Sequence, residues 1–199
     1  MGPENILSTY DSVATVFGRE RNKTLFERPW LDRMLAHTRP PRRILDLGCG
    51  TGQPIARYLV DRRAKVTGVD GASAMIDLFK ANVPAAEAIH DDMRFLNLNR
   101  RFDGILAWNS FFHLSQTDQR TMFPIFAQHA APGASLMFTS GTSAGEVIGT
   151  AGGQPVYHSS LDPEEYRTLL DQNGFEVLRF TPEDPQCKSH TIWLARFKD

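Results

Sequence analysis

Asp46 stands two residues before the run Gly48-Cys49-Gly50-Thr51-Gly52, and a second acid, Asp70, follows the last of those glycines by 18 positions. Glycines at every second position make a turn without Cβ atoms, so its backbone can come close to a ligand. The neighbouring acid then sets the ligand's charge. Asp46 would repel a pyrophosphate, whereas an ammonium or a sulfonium suits it. Asp70 lies near the ~20-residue offset at which a carboxylate accepts both ribose hydroxyls of an adenosine. Folds that bind NAD place an acid there too, so Asp70 points to an adenosine without choosing the cofactor. His113 and His158 are the candidates for proton transfer, because an imidazole with a pKa near ~6.5 can act as a base at neutral pH. Each also reads as a histidine packed or hydrogen-bonded at the end of a helix or hairpin. No paired-histidine spacing on one helix and no Cys/His cluster suggests a metal.

These residues need elements to hold them. Ile44, Leu45 and Leu47 form a short apolar run after a basic start, which reads as a strand buried on both faces of a parallel sheet. The glycines end it, and Pro54 fits the first turn of a helix from Gln53 to about Asp61. Lys65 to Asp70 is a β-branched run and the second strand; Gly71 would let a ribose come close, and Ser73 serves as N-cap of the next helix. Ala86 to His90 and Phe102 to Trp108 read as the third and fourth strands, the latter followed by Asn109-Ser110-Phe111-Phe112-His113. A helix from Asp118 to Ala131 is closed by Pro132-Gly133, and a fifth strand runs from Ala134 to Thr139. Asp162 caps a helix that ends at Gly174, and Phe175–Thr181 and Thr191–Phe197 are the last strands.

Two amphipathic helices precede the sheet, from Asn5 to Phe17 and from about Glu27 to His37. Between the fifth strand and the last helix, residues 140–160 are glycine-rich. Glu146–Thr150 and Gln154–His158 could pair there around Ala151-Gly152-Gly153. A long insertion over a cleft is often a lid or specificity element, so substrate choice is assigned to this segment.

Composition bounds the answer. The chain has 199 residues, 41% of them hydrophobic, which is enough for one good core and a single domain. A net charge of −1 supplies no positive field toward nucleic acid or an anionic membrane. Two cysteines, Cys49 and Cys187, give no disulfide framework, so a reducing cytoplasm is expected. No apolar run reaches the ~18 residues of a membrane helix, and Met1 to Tyr10 lacks the apolar stretch of a signal peptide.

The run Leu45-Asp46-Leu47-Gly48-Cys49-Gly50-Thr51-Gly52 closely resembles the nucleotide loop of class I S-adenosylmethionine-dependent methyltransferases. The resemblance extends over nearly the whole chain. It implies an α/β, Rossmann-like three-layer sandwich, with a mostly parallel seven-stranded sheet and an antiparallel C-terminal hairpin strand. It implies S-adenosylmethionine as cofactor, S-adenosylhomocysteine as product and in-line methyl transfer to an unidentified small molecule. Cofactor contacts are then expected from Asp46, Gly48, Cys49, Gly50 and Gly52 of the loop, from Asp70 and Gly71, and from Trp108 at the end of the fourth strand. The family's adenine acid and the backbone N–H after it match Asp92 and Met93. Asp91 is the alternative by one register, with a solvated turn as the plainer reading. N-terminal helices cover the cleft in the family, which makes Tyr10 and Trp30 candidates to close over the methionine end; both also read as packing residues. His113 and His158 could face the methyl group.

Methyltransferases acting on base amines or a glutamine amide usually carry Asn/Asp-Pro-Pro-Tyr/Phe after the fourth strand. Asn109-Ser110-Phe111-Phe112 lacks both prolines, which with the near-neutral charge argues against nucleic acid as partner. A nicotinamide-dependent oxidoreductase requires G-x-G-x-x-G, which this loop does not have. A non-catalytic module that binds S-adenosylmethionine or S-adenosylhomocysteine stays open as an alternative. Oligomeric state is not readable from the sequence.

Overall fold

The computed structural model describes residues 2–199; Met1, where the leader reading begins, lies outside them. The central strand is β1 (Arg43–Leu47), paired in parallel with β2 (Lys65–Asp70) on one side and β4 (Phe102–Ala107) on the other. With β3 (Glu87–His90), β5 (Ala130–Ser140), β8 (Phe175–Asp184) and β9 (His190–Phe197) they form a seven-stranded sheet in the order β3-β2-β1-β4-β5-β9-β8. Only β9 runs antiparallel to its neighbours. The chain winds outward from β1 in both directions, so the C-terminal ends of β1 and β4 open the crevice where such sheets bind ligands.

Alternation along the strands feeds two cores. Leu45, Leu47, Ile105 and Ala107 point to a face covered by α5 (Gln116–His129) and α6 (Pro163–Gln172), where Phe111, Phe123, Phe126, Phe138 and Tyr166 interlock. Ile44 and Leu106 point to the opposite face, covered by α2 (Arg28–His37), α3 (Ile55–Asp61) and α4 (Ser73–Asn82). Helices on both faces explain why β1 after Arg43 and all of β4 are buried on both sides, with Asp46 and Asp103 their only charged buried residues.

The expected covering role of the second helix is overturned. Trp30, Leu31, Met34 and Leu35 lie on one face of α2 and are at most 5% exposed, packed against the sheet and away from the crevice. Trp30 donates its Nε1–H to the buried carboxylate of Asp184 at 2.7 Å, so its polar tip needs no ligand. Smaller corrections follow the same logic of local bonds. Ser115, not the Asp118 region, caps α5, and that helix ends at His129 and passes directly into β5, so Pro132-Gly133 sits inside the strand. Ser73 is the first residue of α4, its hydroxyl reaching Asp11 instead of capping.

Helix α1 (Ile6–Glu20) packs on α4 and on a hairpin of β6 (Gly145–Ala151) and β7 (Gln154–Ser160) that lies outside the main sheet. Gly152 and Gly153, with φ of 53° and 78°, make its two-residue turn, which a side chain would strain. The C-terminal stem of β7 is anchored by Gln119, fully buried in α5. Its amide donates to the carbonyls of Leu114 and Ser159 and accepts from the Tyr166 hydroxyl. Gln119→Leu would leave the Tyr166 O–H without an acceptor, the hydroxyl keeping only the Leu161 N–H it accepts, and would take the Gln119 donor from the Ser159 carbonyl, at about 1 to 3 kcal/mol each. Urea denaturation should read that loss, and unchanged stability would mean the network is not holding the hairpin.

Candidate active site

A cleft of about 420 Å³ opens at the C-terminal ends of β1, β2 and β4. Its floor carries most of the acids singled out in the sequence. Asp46 is 4% exposed, and among the described residues no hydrogen bond reaches its carboxyl to offset burial. Gly48 beside it has a φ of 68°, and a Cβ there would stand 2.2 Å from the Cβ of Ser110, whose hydroxyl donates to the Leu47 carbonyl at 2.6 Å. The glycine is therefore required twice, by conformation and by the close approach of the loop after β4. Cys49, Gly50 and Gly52 continue the same wall. Burial pushes the Cys49 thiol up, with the charges of Asp46 and Asp70 adding, so it is no nucleophile.

Asp70 serves as a staple between two turns. Its carboxylate accepts from the backbone N–H of Gly50 at 2.8 Å and of Ala72 at 2.9 Å, which fixes the glycine loop against the start of α4. Burial raises its pKa, and those two bonds oppose the rise. Gly71 also lines the cleft, but the group that needs its missing Cβ is Leu7 of α1, whose Cδ2 would be 2.6 Å away. After β3, Asp92 and Met93 line the cleft, while Asp91 is exposed and accepts from the next backbone N–H. Burial alone would raise Asp92, but hydrogen bonds and charge from Arg94 hold it below the usual carboxylate range.

Trp108 lines the cleft with its ring stacked on His190 at 5.5 Å. Asn109 follows in the left-handed region at a φ of 50°. Its amide oxygen accepts from Thr139, and its amide nitrogen bonds to His190 at 3.0 Å. Side-chain bonds thus shape the turn that two prolines would otherwise shape.

The roof is α1 and the hairpin. Tyr10, Ile6, Leu7 and Phe17 come from the helix, and Ala151, Val156 and His158 from β6 and β7. His113 Nδ1 lies 2.8 Å from the Tyr157 carbonyl, which can only accept, so Nδ1 carries the proton. Nε2 is then the acceptor of the Tyr10 hydroxyl at 2.8 Å. Burial pushes His113 down to about 4, with the Tyr157 carbonyl opposing and His158 adding. Both nitrogens of His113 are therefore occupied. His158 is half-buried; its ring centroid sits 4.8 Å from that of His113 and 4.7 Å from that of Phe112. Among the described residues it has no hydrogen bond, and burial alone lowers its pKa. The structure thus separates two histidines that the sequence left equivalent.

Several lining residues had not been singled out. Arg21, just past α1, lines the cleft, and its guanidinium is tied to the fully buried Glu27 and to the Asn22 carbonyl. Phe112 and Val156 supply apolar wall. Spacing carries no signal for Arg21 or Val156, because the packing of α1 and the hairpin over the sheet brings them in. Among the described residues, no group of three His, Cys, Asp or Glu could hold a metal ion, and no helix is long and apolar enough to cross a membrane.

Asp46 gives a prediction whose sign follows from its burial. Burial, with the Asp70 charge adding, pushes it up to about 7. The folded protein therefore keeps a proton that the unfolded chain has lost above about pH 4, so Asp46 lowers stability as pH rises toward 7. His113 acts in the opposite sense, costing stability as pH falls from about 6.5 toward 4. Asp46→Asn should remove the first effect, leaving the variant more stable than wild type at about pH 8 and indistinguishable near pH 3. Thermal melts at the two values check this, and equal melting at the higher one would contradict a carboxyl buried without a partner.

Residues 44–133 match a family model described as a methyltransferase domain. The O-methyltransferase rstn1 of Aspergillus nomiae is 29% identical over 156 residues, covering 70% of this chain and 67% of that one. The chain spans between 56% and 67% of the length of the curated relatives it matches. Among solved structures, the CcbJ methyltransferase of Streptomyces caelestis superposes with a TM-score of 0.76 at 17% identity, covering 94% of this chain and 96% of that one. CalS10, an amino pentose methyltransferase from Micromonospora echinaspora with S-adenosylmethionine bound, gives 0.71 at 21% identity over 90% and 93%. At those identities the likeness is one of fold.

Proposed function

We propose, for a chain that belongs to the class I S-adenosylmethionine-dependent methyltransferases, that it methylates a hydroxyl group on a small molecule with His158 as the base. The observation that carries this is the state of His158: a half-buried imidazole in the cleft with no hydrogen bond among the described residues and a lowered pKa. The name of the relative rstn1, an O-methyltransferase, supports oxygen as the atom methylated.

The floor fits the cofactor because it offers a buried, unpartnered carboxyl to a ligand that is cationic at one end. Asp46 and the backbone of Gly48, Cys49, Gly50 and Gly52 would hold the ammonium end, and Arg21 the carboxylate. Asp70 and Gly71 would hold the ribose, Asp92 and the Met93 N–H the adenine, and Trp108 would flank the sulfur. Bound there, S-adenosylmethionine supplies a methyl group on a positively charged sulfur, so the driving force is the cofactor's. The chain's own part is alignment and exclusion of water, and orientation of reactants alone is worth roughly 7 to 11 kcal/mol. Tyr10, held by His113, closes the cleft from above, and the hairpin over residues 140–160 selects the acceptor.

Removing the proton is the remaining step. A neutral imidazole next to the acceptor oxygen can take it, whereas His113 would first have to give up the Tyr10 hydroxyl. Incubation with methyl-labelled S-adenosylmethionine and a mixture of small alcohols, phenols and amines tests the reading. Label should enter hydroxyl compounds; label found only in amines would contradict it.

A further inference from the structure

The acceptor half of the cleft differs from the cofactor half in kind. The charged side chains that line it, Glu20, Arg21, Asp46, Asp70, Asp92 and Arg94, stand on the strand ends and at the end of α1. Around His158 the wall is instead made of rings. Tyr10 to His113 is 5.2 Å between centroids, His113 to Phe112 is 4.9 Å, and Phe112 to His158 is 4.7 Å. Val156 and Leu114 fill the gaps. The nitrogens of His113 and the hydroxyl of Tyr10 are committed to each other and to the Tyr157 carbonyl, which leaves the His158 nitrogens as the polar atoms of this ring wall free to meet an acceptor.

The hairpin extends this wall beyond the cleft. Val147 lies directly opposite His158 in the β6–β7 register, so both side chains stand on the same face. Val147 is 63% exposed, an apolar side chain held in water beside the base. Gly149 on the same strand leaves the space the imidazole needs, since a Cβ there would be 2.7 Å from His158 Cε1. A volume of about 420 Å³ lies in the lower part of the range for one drug-sized ligand, so an acceptor bound alongside the cofactor must extend past the mouth.

Resting on the methyl-transfer reading above, we infer that the acceptor is a neutral aromatic alcohol, a phenol, seated against the paired rings of Phe112 and His158 with the body of its ring system against Val147. Aromatic rings take offset or edge-on contacts of 4.5 to 7 Å, the spacing this wall already has. The wall made by Tyr10, Phe112, His113, Leu114, Val156 and His158 contains no Asp, Glu, Lys or Arg, so a charged acceptor finds no oppositely charged partner in it. The choice of phenol over aliphatic alcohol follows from acidity. With a histidine as base, deprotonating a phenol of pKa about 10 is uphill by a factor of roughly 10⁴, and an aliphatic hydroxyl close to water's 15.7 by roughly 10⁹. In the reaction the phenolic proton goes to His158, an oxygen lone pair forms the O–CH₃ bond, and the C–S bond breaks with its electron pair returning to sulfur.

Three naphthalene probes on one scaffold test this. Protein saturated with S-adenosylhomocysteine is titrated calorimetrically with 2-naphthol, 2-naphthalenemethanol and 2-naphthoate, and each is then offered with S-adenosylmethionine. The expected result is binding of both neutral probes, at least tenfold weaker binding of the naphthoate, and methylation of 2-naphthol at least a hundredfold faster than of the alcohol. Equal methylation of the alcohol or the acid, or bound 2-naphthol that is never methylated, overturns the inference. Phe112→Ala, at a half-buried position, should weaken 2-naphthol binding at least tenfold and leave S-adenosylhomocysteine affinity unchanged. Val147→Ser should raise KM for 2-naphthol without changing kcat. Equal losses of both ligands in the first variant, or an unmoved KM in the second, would remove these residues from the acceptor seat. Failure of S-adenosylhomocysteine itself to bind is a separate result, and it overturns the methyl-transfer reading together with this one.

Discussion

His158→Gln should lower kcat by about 10²- to 10⁴-fold, the range that general-base catalysis contributes, with S-adenosylmethionine affinity unchanged. The size of the effect follows from the absence of a substitute. His113 has both ring nitrogens engaged and a pKa of about 4, and Cys49 is a buried thiol with its pKa pushed up. The readout that separates catalysis from packing is the pH profile. At saturating S-adenosylmethionine, which removes the contribution of Asp46, wild-type kcat should fall on the acid side as His158 takes a proton, below the ordinary histidine range because burial lowers it. The variant should lose that limb. A variant with wild-type turnover, or one that keeps the acid limb, would return His158 to a packing role.

Asp70→Ala should weaken the cofactor by about 1.5 to 3 kcal/mol, the worth of hydrogen bonds to a charged group, or roughly 10- to 150-fold in Kd. The variant loses a second function as well. The N–H groups of Gly50 and Ala72 lose their acceptor, so the glycine loop is no longer tied to α4. Adenosine separates the two contributions, because it carries the ribose without the methionine end. Calorimetry should show adenosine and S-adenosylhomocysteine weakened by similar factors if Asp70 accepts the ribose hydroxyls. Unchanged adenosine affinity in a folded variant would leave Asp70 with the staple alone.

Much of the fold was legible because it is written in short-range patterns. A continuous apolar run into alternate glycines marks β1 and its loop, and β2 falls on the expected Lys65–Asp70 because β-branched residues bound it tightly. The hairpin was visible in Gly152-Gly153, whose positive φ values few other residues accept. The boundaries that moved did so where a local bond competes with the pattern, as when Ser115 caps α5 ahead of the acid that looked like its start.

Which residues reach the cleft was less legible, because that depends on how elements pack. Tyr10 and Trp30 are both aromatic residues on N-terminal helices. One lies on a helix that sits over the strand ends and the other on a helix that lies along the sheet. Nothing in their neighbourhoods of sequence distinguishes them. Gly71 lines the cleft as expected, but for a reason in Leu7, more than sixty positions away. The two histidines looked alike until the Tyr157 carbonyl, brought in by β7, fixed the tautomer of one and left the other unbonded.

Titration of the purified protein by calorimetry with S-adenosylmethionine, S-adenosylhomocysteine and NAD, side by side, tests the central claim most directly. The buried, unpartnered Asp46 beside Gly48 predicts micromolar binding of the first two, proton release on binding near neutral pH, and no binding of NAD, whose pyrophosphate meets that carboxylate. Binding of NAD alone, or of none of the three, would contradict it.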